Sequence, residues 1–272
     1  MFSEADVRPG ASVKRAGAPG LYLLHVWTLI ELEILKLRKD PTELFMRAVQ
    51  PALWLLVFGQ AFSRIGMIPT GKTTYLAFLT PGILAQSVTF IAIFYGISII
   101  WERETGQLQK FLTTPMRRSA IFLGKMLGAS VRSIGQAVMV LILALLLGVH
   151  ILWGPGRILG ALATVVLGAA FFSGMSMVLA ALLRTRERMM GIGQVITMPL
   201  FFSSNALYPT TIMPDWLRVI ATINPMSYLV DGLRGLLLGT PAHLGVDWAV
   251  LAGAGAVMLI LSTVLFPRRM AA

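Results

Sequence analysis

The residues of this chain that most obviously could do chemistry are Gly66-Met-Ile-Pro-Thr-Gly71-Lys72-Thr73, which satisfy the spacing of a phosphate-binding loop. In such a loop, backbone amides and a lysine hold phosphates while a hydroxyl holds magnesium. The device works where a buried strand delivers the loop and a helix begins at its end, inside a sheet-based domain. Here the stretch lies between two long apolar runs, and no strand ending in an acidic magnesium ligand follows. The match reads as coincidence, and the chain is expected to bind no cofactor itself. His25, His150 and His243 sit in separate segments, without carboxylates at metal-ligand or triad spacing, so no metal site and no catalytic residue are expected. Asp215, Asp231 and Asp247 are not expected to share a site. The absence of cysteine excludes disulfides, thiolate metal centres and thiol nucleophiles.

The elements that must position anything else are set by composition. With 272 residues, 56% of them hydrophobic and 13% charged, the chain carries more apolar surface than one soluble core can hide. We therefore expect an all-α integral membrane protein. The net charge of +11 does not imply nucleic acid, because the basic residues form short clusters between apolar runs, not one patch interleaved with aromatics. A helix needs about 20 mainly apolar residues to cross a bilayer. Six runs approach that length: 44–62, 76–100, 132–152, 158–183, 190–208 and 246–266. Lys and Arg concentrate in 1–43, 101–125, 184–188 and the C-terminal tail, whereas the alternate loops hold only Arg64, Lys72, Arg157, Arg218 and Arg234. Positive charge resists translocation, so both termini are predicted to be cytoplasmic. Residues 1–20 read as a flexible tail without the apolar core of a signal peptide, and 21–272 as one transmembrane domain.

Ahead of the first span, Leu23, Val26, Trp27, Ile30, Ile34 and Leu37 recur at spacings of three and four, which places them on one helical face. Residues 21–38 are predicted to be an amphipathic helix lying in the membrane interface. Glu31, Glu33 and Lys36 make its full insertion costly, and Glu31, Lys36 and Arg38 are its candidate polar contacts. Arg47 and Arg132, near span ends, read as headgroup anchors. With no buried acidic residue expected in the spans, an ion-coupled carrier is disfavoured.

Two connecting segments carry the functional expectation. The loop from Trp101 to Arg118 opens on Glu102 and Glu104, where basic residues would be ordinary at a cytoplasmic boundary. Its residues 107–112 can form a short helix with Leu108, Phe111 and Leu112 on one face, stopped near Pro115. Such a helix, held at the end of two spans, would pass a partner's motion to both. The segment between the fifth and sixth spans is apolar but punctuated by Pro209, Pro214, Pro225 and Pro241. It predicts two helices too short to cross, a broken hairpin that is tolerated at membrane depth only where protein or a water-lined cavity covers it.

Two stretches resemble the type-2 permeases of ATP-binding-cassette exporters, with the drug-resistance permeases of the daunorubicin type nearest in look. One is Glu102-Arg-Glu-Thr-Gly106-Gln-Leu108, with Pro115 and Arg117 downstream. The other is Met213-Pro214, then Pro225-Met-Ser-Tyr228 and, five residues on, Arg234. Ser203 departs from the small apolar residue usual upstream of the second. The resemblance covers about residues 20 to 266. It implies a permease dimer of identical chains, with each copy docked on a separate cytoplasmic ATPase subunit that carries the ATP and magnesium. On that likeness Glu102, Glu104, Gly106, Leu108 and Phe111 belong to a coupling helix, and the 21–38 helix also meets the ATPase. Pro214, Pro225, Tyr228 and Arg234 then belong to a re-entrant outer gate. The implied cargo is a hydrophobic or amphipathic, drug- or lipid-like molecule leaving across a bacterial or archaeal plasma membrane. A lipid-linked glycan is the rival cargo, and a stand-alone secondary transporter or a membrane-bound enzyme are the rival functions. The chain purified alone is predicted not to hydrolyse ATP, and wild type and Lys72→Ala are both predicted to show only background nucleotide retention in a filter-binding assay.

Overall fold

The computed structural model describes residues 18–40, 42–65, 73–114, 116–183 and 185–270. Residues 66–72 of the phosphate-loop match and the predicted helix stop at Pro115 lie outside them, as does most of the predicted tail. All regular elements among the described residues are helical. They begin with α1 (Ala18–Lys39) and α2 (Thr42–Leu53), which continues through a π-helical stretch, Trp54–Gly59, into α3 (Gln60–Ile65). Pro51 inside α2 has no amide hydrogen to donate and crowds the preceding turn, and the widened π turns follow within one turn of it.

The long helices are α4 (Tyr75–Glu104), α6 (Arg118–Leu146), α7 (Pro155–Leu182) and α11 (Leu244–Met270). With Leu44–Ser63 they make five helices long and apolar enough to cross a membrane. Two expected boundaries shift. The third run begins at Arg118, not near residue 132, because the mixed stretch 118–131 packs its small residues against α1. The fifth expected run, 190–208, is α8 (Arg186–Phe202), whose 17 residues stop where Ser203 starts a tight turn. That helix spans about 26 Å at 1.5 Å per residue, short of a bilayer core.

Local chemistry sets the ends. Thr74 caps α4 by accepting from the Ala77 amide, Thr185 caps α8 by accepting from Arg188, and Pro155 starts α7 where no amide hydrogen is needed. Between α4 and α5 (Gln107–Thr113), Gly106 takes φ 71, the left-handed region that glycine enters without a steric penalty. The predicted short helix is therefore present. The expected outer pair is also helical, as α9 (Asp215–Ile223) and α10 (Pro225–Leu238).

At the centre α4 packs on α7, and α6, α10 and α11 close around that pair. The larger apolar core lies toward α10 and the smaller toward α5, where Leu108 is fully enclosed with Phe122, Met126 and Phe266. The helix at 44–63 leaves most of its surface outside the chain.

α1 lies along α6, and glycines allow the approach: a Cβ on Gly124 would stand 2.8 Å from the Leu29 side chain and 3.2 Å from the Val26 carbonyl. The packed face of α1 is Val26, Leu29 and Glu33, flanked by Ile30, Ile34 and Leu37, whereas Leu23 and Trp27 of the expected face point outward. The expected stripe is thus rotated toward Leu29. Gly124→Ala should lower stability by about 1–3 kcal/mol through overpacking, measured as the thermal midpoint in detergent. Gly191→Ala, with nothing within 4 Å of its would-be Cβ, should leave the midpoint unchanged or raised.

Candidate functional site

At the end of the bundle that carries α1 and α5, ionisable side chains from four helices meet. Glu33, 4% exposed, is the hub. One carboxylate oxygen accepts from Lys36 Nζ at 2.7 Å and from the Tyr95 hydroxyl at 3.2 Å. The other accepts from Arg132 Nε, with Nη2 also at 3.0 Å. Burial alone would raise the Glu33 carboxyl, but Lys36 and then Arg132 outweigh it, and the group lies below its ordinary value.

Beside this hub, Glu102 near the end of α4 is buried and paired with Lys125 of α6, which is itself 3% exposed. Lys36 stands 3.8 Å from the other Glu102 oxygen, so it bridges the two carboxylates. The Lys125 ammonium also lies 5.3 Å from the Phe111 ring centroid, which links α5 to the same group. The arrangement ties α1, α4, α5 and α6 through charge.

Of the expected contact residues, Glu31 and Arg38 are exposed and Lys36 is half-exposed within the cluster. Glu104 is accessible and accepts from Arg186 Nε at 2.8 Å; the Arg186 guanidinium also covers Trp101 at 5.2 Å. Arg103 turns the other way, donating to the carbonyls of Ala180 at 3.1 Å and Leu183 at 2.9 Å at the end of α7. Glu102, Leu108 and Glu104 therefore differ in kind. The first two are built into the bundle, and only Glu104 presents its carboxylate outside.

The opposite end is held by amides. Asn224 sits between α9 and α10, caps α10 by accepting from the Met226 amide at 2.9 Å, and donates to the Leu200 carbonyl at 2.7 Å and Ser203 Oγ at 3.0 Å. Arg234, counted in the sequence among the loop residues, is buried in α10. It donates to the Asn205 carbonyl at 2.9 Å, lies over the Phe78 ring at 4.0 Å and faces Asp231 at 3.7 Å, while Asn205 donates to Asp231 at 2.6 Å. The Tyr228 hydroxyl donates to the Thr222 carbonyl at 2.6 Å, closing the hairpin on itself. Pro225 begins α10, and Pro214, exposed, precedes α9.

Two sequence expectations fail here. Arg132 is a partner of Glu33 and not a headgroup anchor, because α6 begins nearly four turns before the expected span and carries Arg132 inside the bundle. Acidic side chains are also buried within the long apolar helices, namely Glu102 of α4 and Asp247 of α11. Sequence reasoning missed Glu33, Tyr95, Lys125, Asn205 and Asn224. A signal existed for Glu33, since it stands four residues beyond Leu29 and four before Leu37 on the packed face. Lys125, flanked by Gly124 and Gly128, was marked by the small-residue spacing that admits α1.

Residues 25–238 match the family described as ABC-2 type transporter. The chain is 28% identical over 251 residues to the daunorubicin resistance ABC transporter permease protein DrrB1 of Streptomyces coeruleorubidus, covering 91% of this chain and 86% of that one. It is 30% identical over 226 residues to ycf38 of Porphyra purpurea, covering 82% and 75%. Nodulation protein J of Rhizobium leguminosarum bv. trifolii is 28% identical over 228 residues, covering 81% and 84%.

Breaking the inner pair should be costly. Lys125→Met leaves a buried carboxylate short of its nearest cation and should destabilise by about 3 kcal/mol, whereas Lys125→Met with Glu102→Gln should recover most of that loss. Because the Glu33 value is lowered, its contribution is complete above the ordinary value of 4.5 and is lost as pH falls through the depressed one. Glu33→Gln should remove that acid-limb component from a melting-temperature profile against pH.

Proposed function

The chain belongs to the ABC-2 type transporter family, and we propose that it is the membrane permease subunit of an exporter driven by a separate ATPase. The observation that carries this reading is the accessible α5 end: a short helix on a left-handed glycine turn, locked by Leu108 and Phe111 to the bundle, with Glu104 turned outward. A partner that displaces α5 displaces α4 and α6 with it.

In this reading both termini and α5 face the cytoplasm, as the Lys and Arg distribution favours, and α1 lies in the inner interface with Leu23, Leu24 and Trp27 toward lipid. The sixth crossing is α8 together with the turn after it. Ser204, Asn205 and Ala206 in that turn are buried, which supplies the protein cover that non-helical backbone needs at membrane depth. The α9–α10 hairpin is re-entrant and forms the outer gate, with Pro214, Pro225, Tyr228 and Arg234 in it. Two permease copies, of one chain, engage two ATPase subunits that bind the ATP and magnesium. The cargo is hydrophobic or amphipathic; the likeness to a daunorubicin-resistance permease supports a drug- or lipid-like molecule. The rival cargo within the same family is a lipid-linked glycan.

Co-expression with candidate ATPase subunits is expected to yield a stable complex. Glu104→Lys should weaken that complex and its cargo-stimulated ATP hydrolysis several-fold while leaving the stability of the permease within about 1 kcal/mol of wild type, since exposed pairs contribute little. A stable, fully active complex carrying Glu104→Lys would remove α5 from the coupling path.

A further inference from the structure

Between α6 and α7, at the end of the bundle that carries the hairpin, lies a crevice of about 240 Å³ whose lining is entirely aliphatic or aromatic. Its back wall is Leu84 of α4 and Leu233 of α10, 1% and 0% exposed, while Val138, Ile142 and Ile158 at its mouth are exposed. The gap exists because Ala137 of α6 and Ala161 of α7 both line it, so two short side chains stand where longer ones would close it. The backbone beside it is held in place: Gly148 turns the chain at φ 81, and the Leu152 amide donates to the Leu237 carbonyl at the end of α10 at 2.9 Å. An apolar space of this kind does not retain water, and left empty it forfeits dispersion contacts on every wall. In a bilayer the molecule that reaches the mouth is hydrocarbon.

The rim carries what a headgroup would meet. Trp153 lines the crevice and is 60% exposed, the position of an indole at the membrane–water boundary. Arg157, exposed, precedes the lining residue Ile158, and its guanidinium lies beside Gly239 next to Leu152, which also lines the crevice. Arg157 has no ion pair among the described residues. A guanidinium is the side chain best shaped to hold a phosphate by two parallel hydrogen bonds.

We infer that this crevice seats one acyl chain of a membrane phospholipid whose phosphate is held by Arg157. The closed back wall admits a chain but leads nowhere across the bundle, so the lipid is a resident part of the assembly and not the exported molecule. It packs against Leu233 and Leu237 and thereby braces α10 against α7. The assignment needs the chain to sit in a bilayer and does not depend on the export reading.

The test uses the full chain, delipidated in dodecyl maltoside, and phosphatidylglycerol bearing a diazirine at the end of one acyl chain, with the photo-crosslinked peptides mapped by mass spectrometry. In wild type, labelling within residues 137–165 should saturate and exceed several-fold that on the exposed face of α11 around Val257 and Ile260. Unlabelled phosphatidylglycerol should compete, diacylglycerol with the same chains should compete several-fold less well, and glycerol phosphate should not compete at the same concentration. Ala161→Leu, which fills the crevice, should lower the labelling to the α11 level. Arg157→Gln, an exposed position that folds regardless, should lower the labelling several-fold and erase the advantage of phosphatidylglycerol over diacylglycerol. Wild-type labelling no higher than on α11, equal competition by the two lipids, or undiminished labelling in Ala161→Leu overturns the proposal. So does labelling that appears only after copies are separated by dilution, which would give the crevice to a second copy of the chain.

Discussion

A carboxylate taken out of water must be met by cations and hydrogen bonds, and in this chain that requirement is concentrated on Glu33. Its two oxygens collect Lys36, Tyr95 and Arg132, and Lys36 extends the network to Glu102 and Lys125. Apolar contact alone would let α1 slide along α6, since one hydrocarbon face fits another in many registers. The ion pairs allow one register, and Gly124 and Gly128 bring the backbones close enough for it to form.

The opposite end solves the same problem with fewer charges. Where the chain turns through Ser203 to Leu207 and again at Asn224, backbone carbonyls leave their helices and need donors. Asn224 and Arg234 supply them, and Asp231 balances the guanidinium. Glycines again set the spacing: a Cβ on Gly82 would fall 2.4 Å from the Ala206 carbonyl oxygen, and Gly160 and Gly168 receive the Leu236 and Leu229 side chains of α10. Both ends are thus built from a close helix approach at glycine and a polar group that uses it.

What the sequence made legible follows from this division. Length and apolarity announce a helix wherever lipid or a wide core selects on composition, and so the runs at 44–62, 76–100, 158–183 and 246–266 were found nearly in place. They fail where a helix is selected by a neighbour instead. The stretch 118–131 is mixed in polarity because it packs on α1, so a hydropathy reading starts that helix late and leaves Arg132 at an apparent end. The face of α1 was rotated for the same reason: treating Glu33 as a cost of insertion hid that a paired carboxylate can occupy the packed stripe. The residues of the α5 loop were recognisable by order and spacing. That Glu102 turns inward and Glu104 outward depends on Lys125 and Arg186, which lie far off in sequence and near only after folding.

The three regions discussed lie along one helix. α4 is 30 residues long, about 45 Å at 1.5 Å per residue, and it carries Glu102 at one end, Leu84 at the back of the apolar crevice, and Phe78 and Gly82 under the hairpin at the other end. Close packing around it leaves little room to bend, and Pro81, its only internal proline, sits beyond Leu84 on the hairpin side. From Glu102 to Gln86 the helix has no internal proline, and Pro81 lies in the segment under Arg234. In the proposed exporter, a push on α5 would move the Glu102 end of α4 directly and would reach the segment under the hairpin only across Pro81.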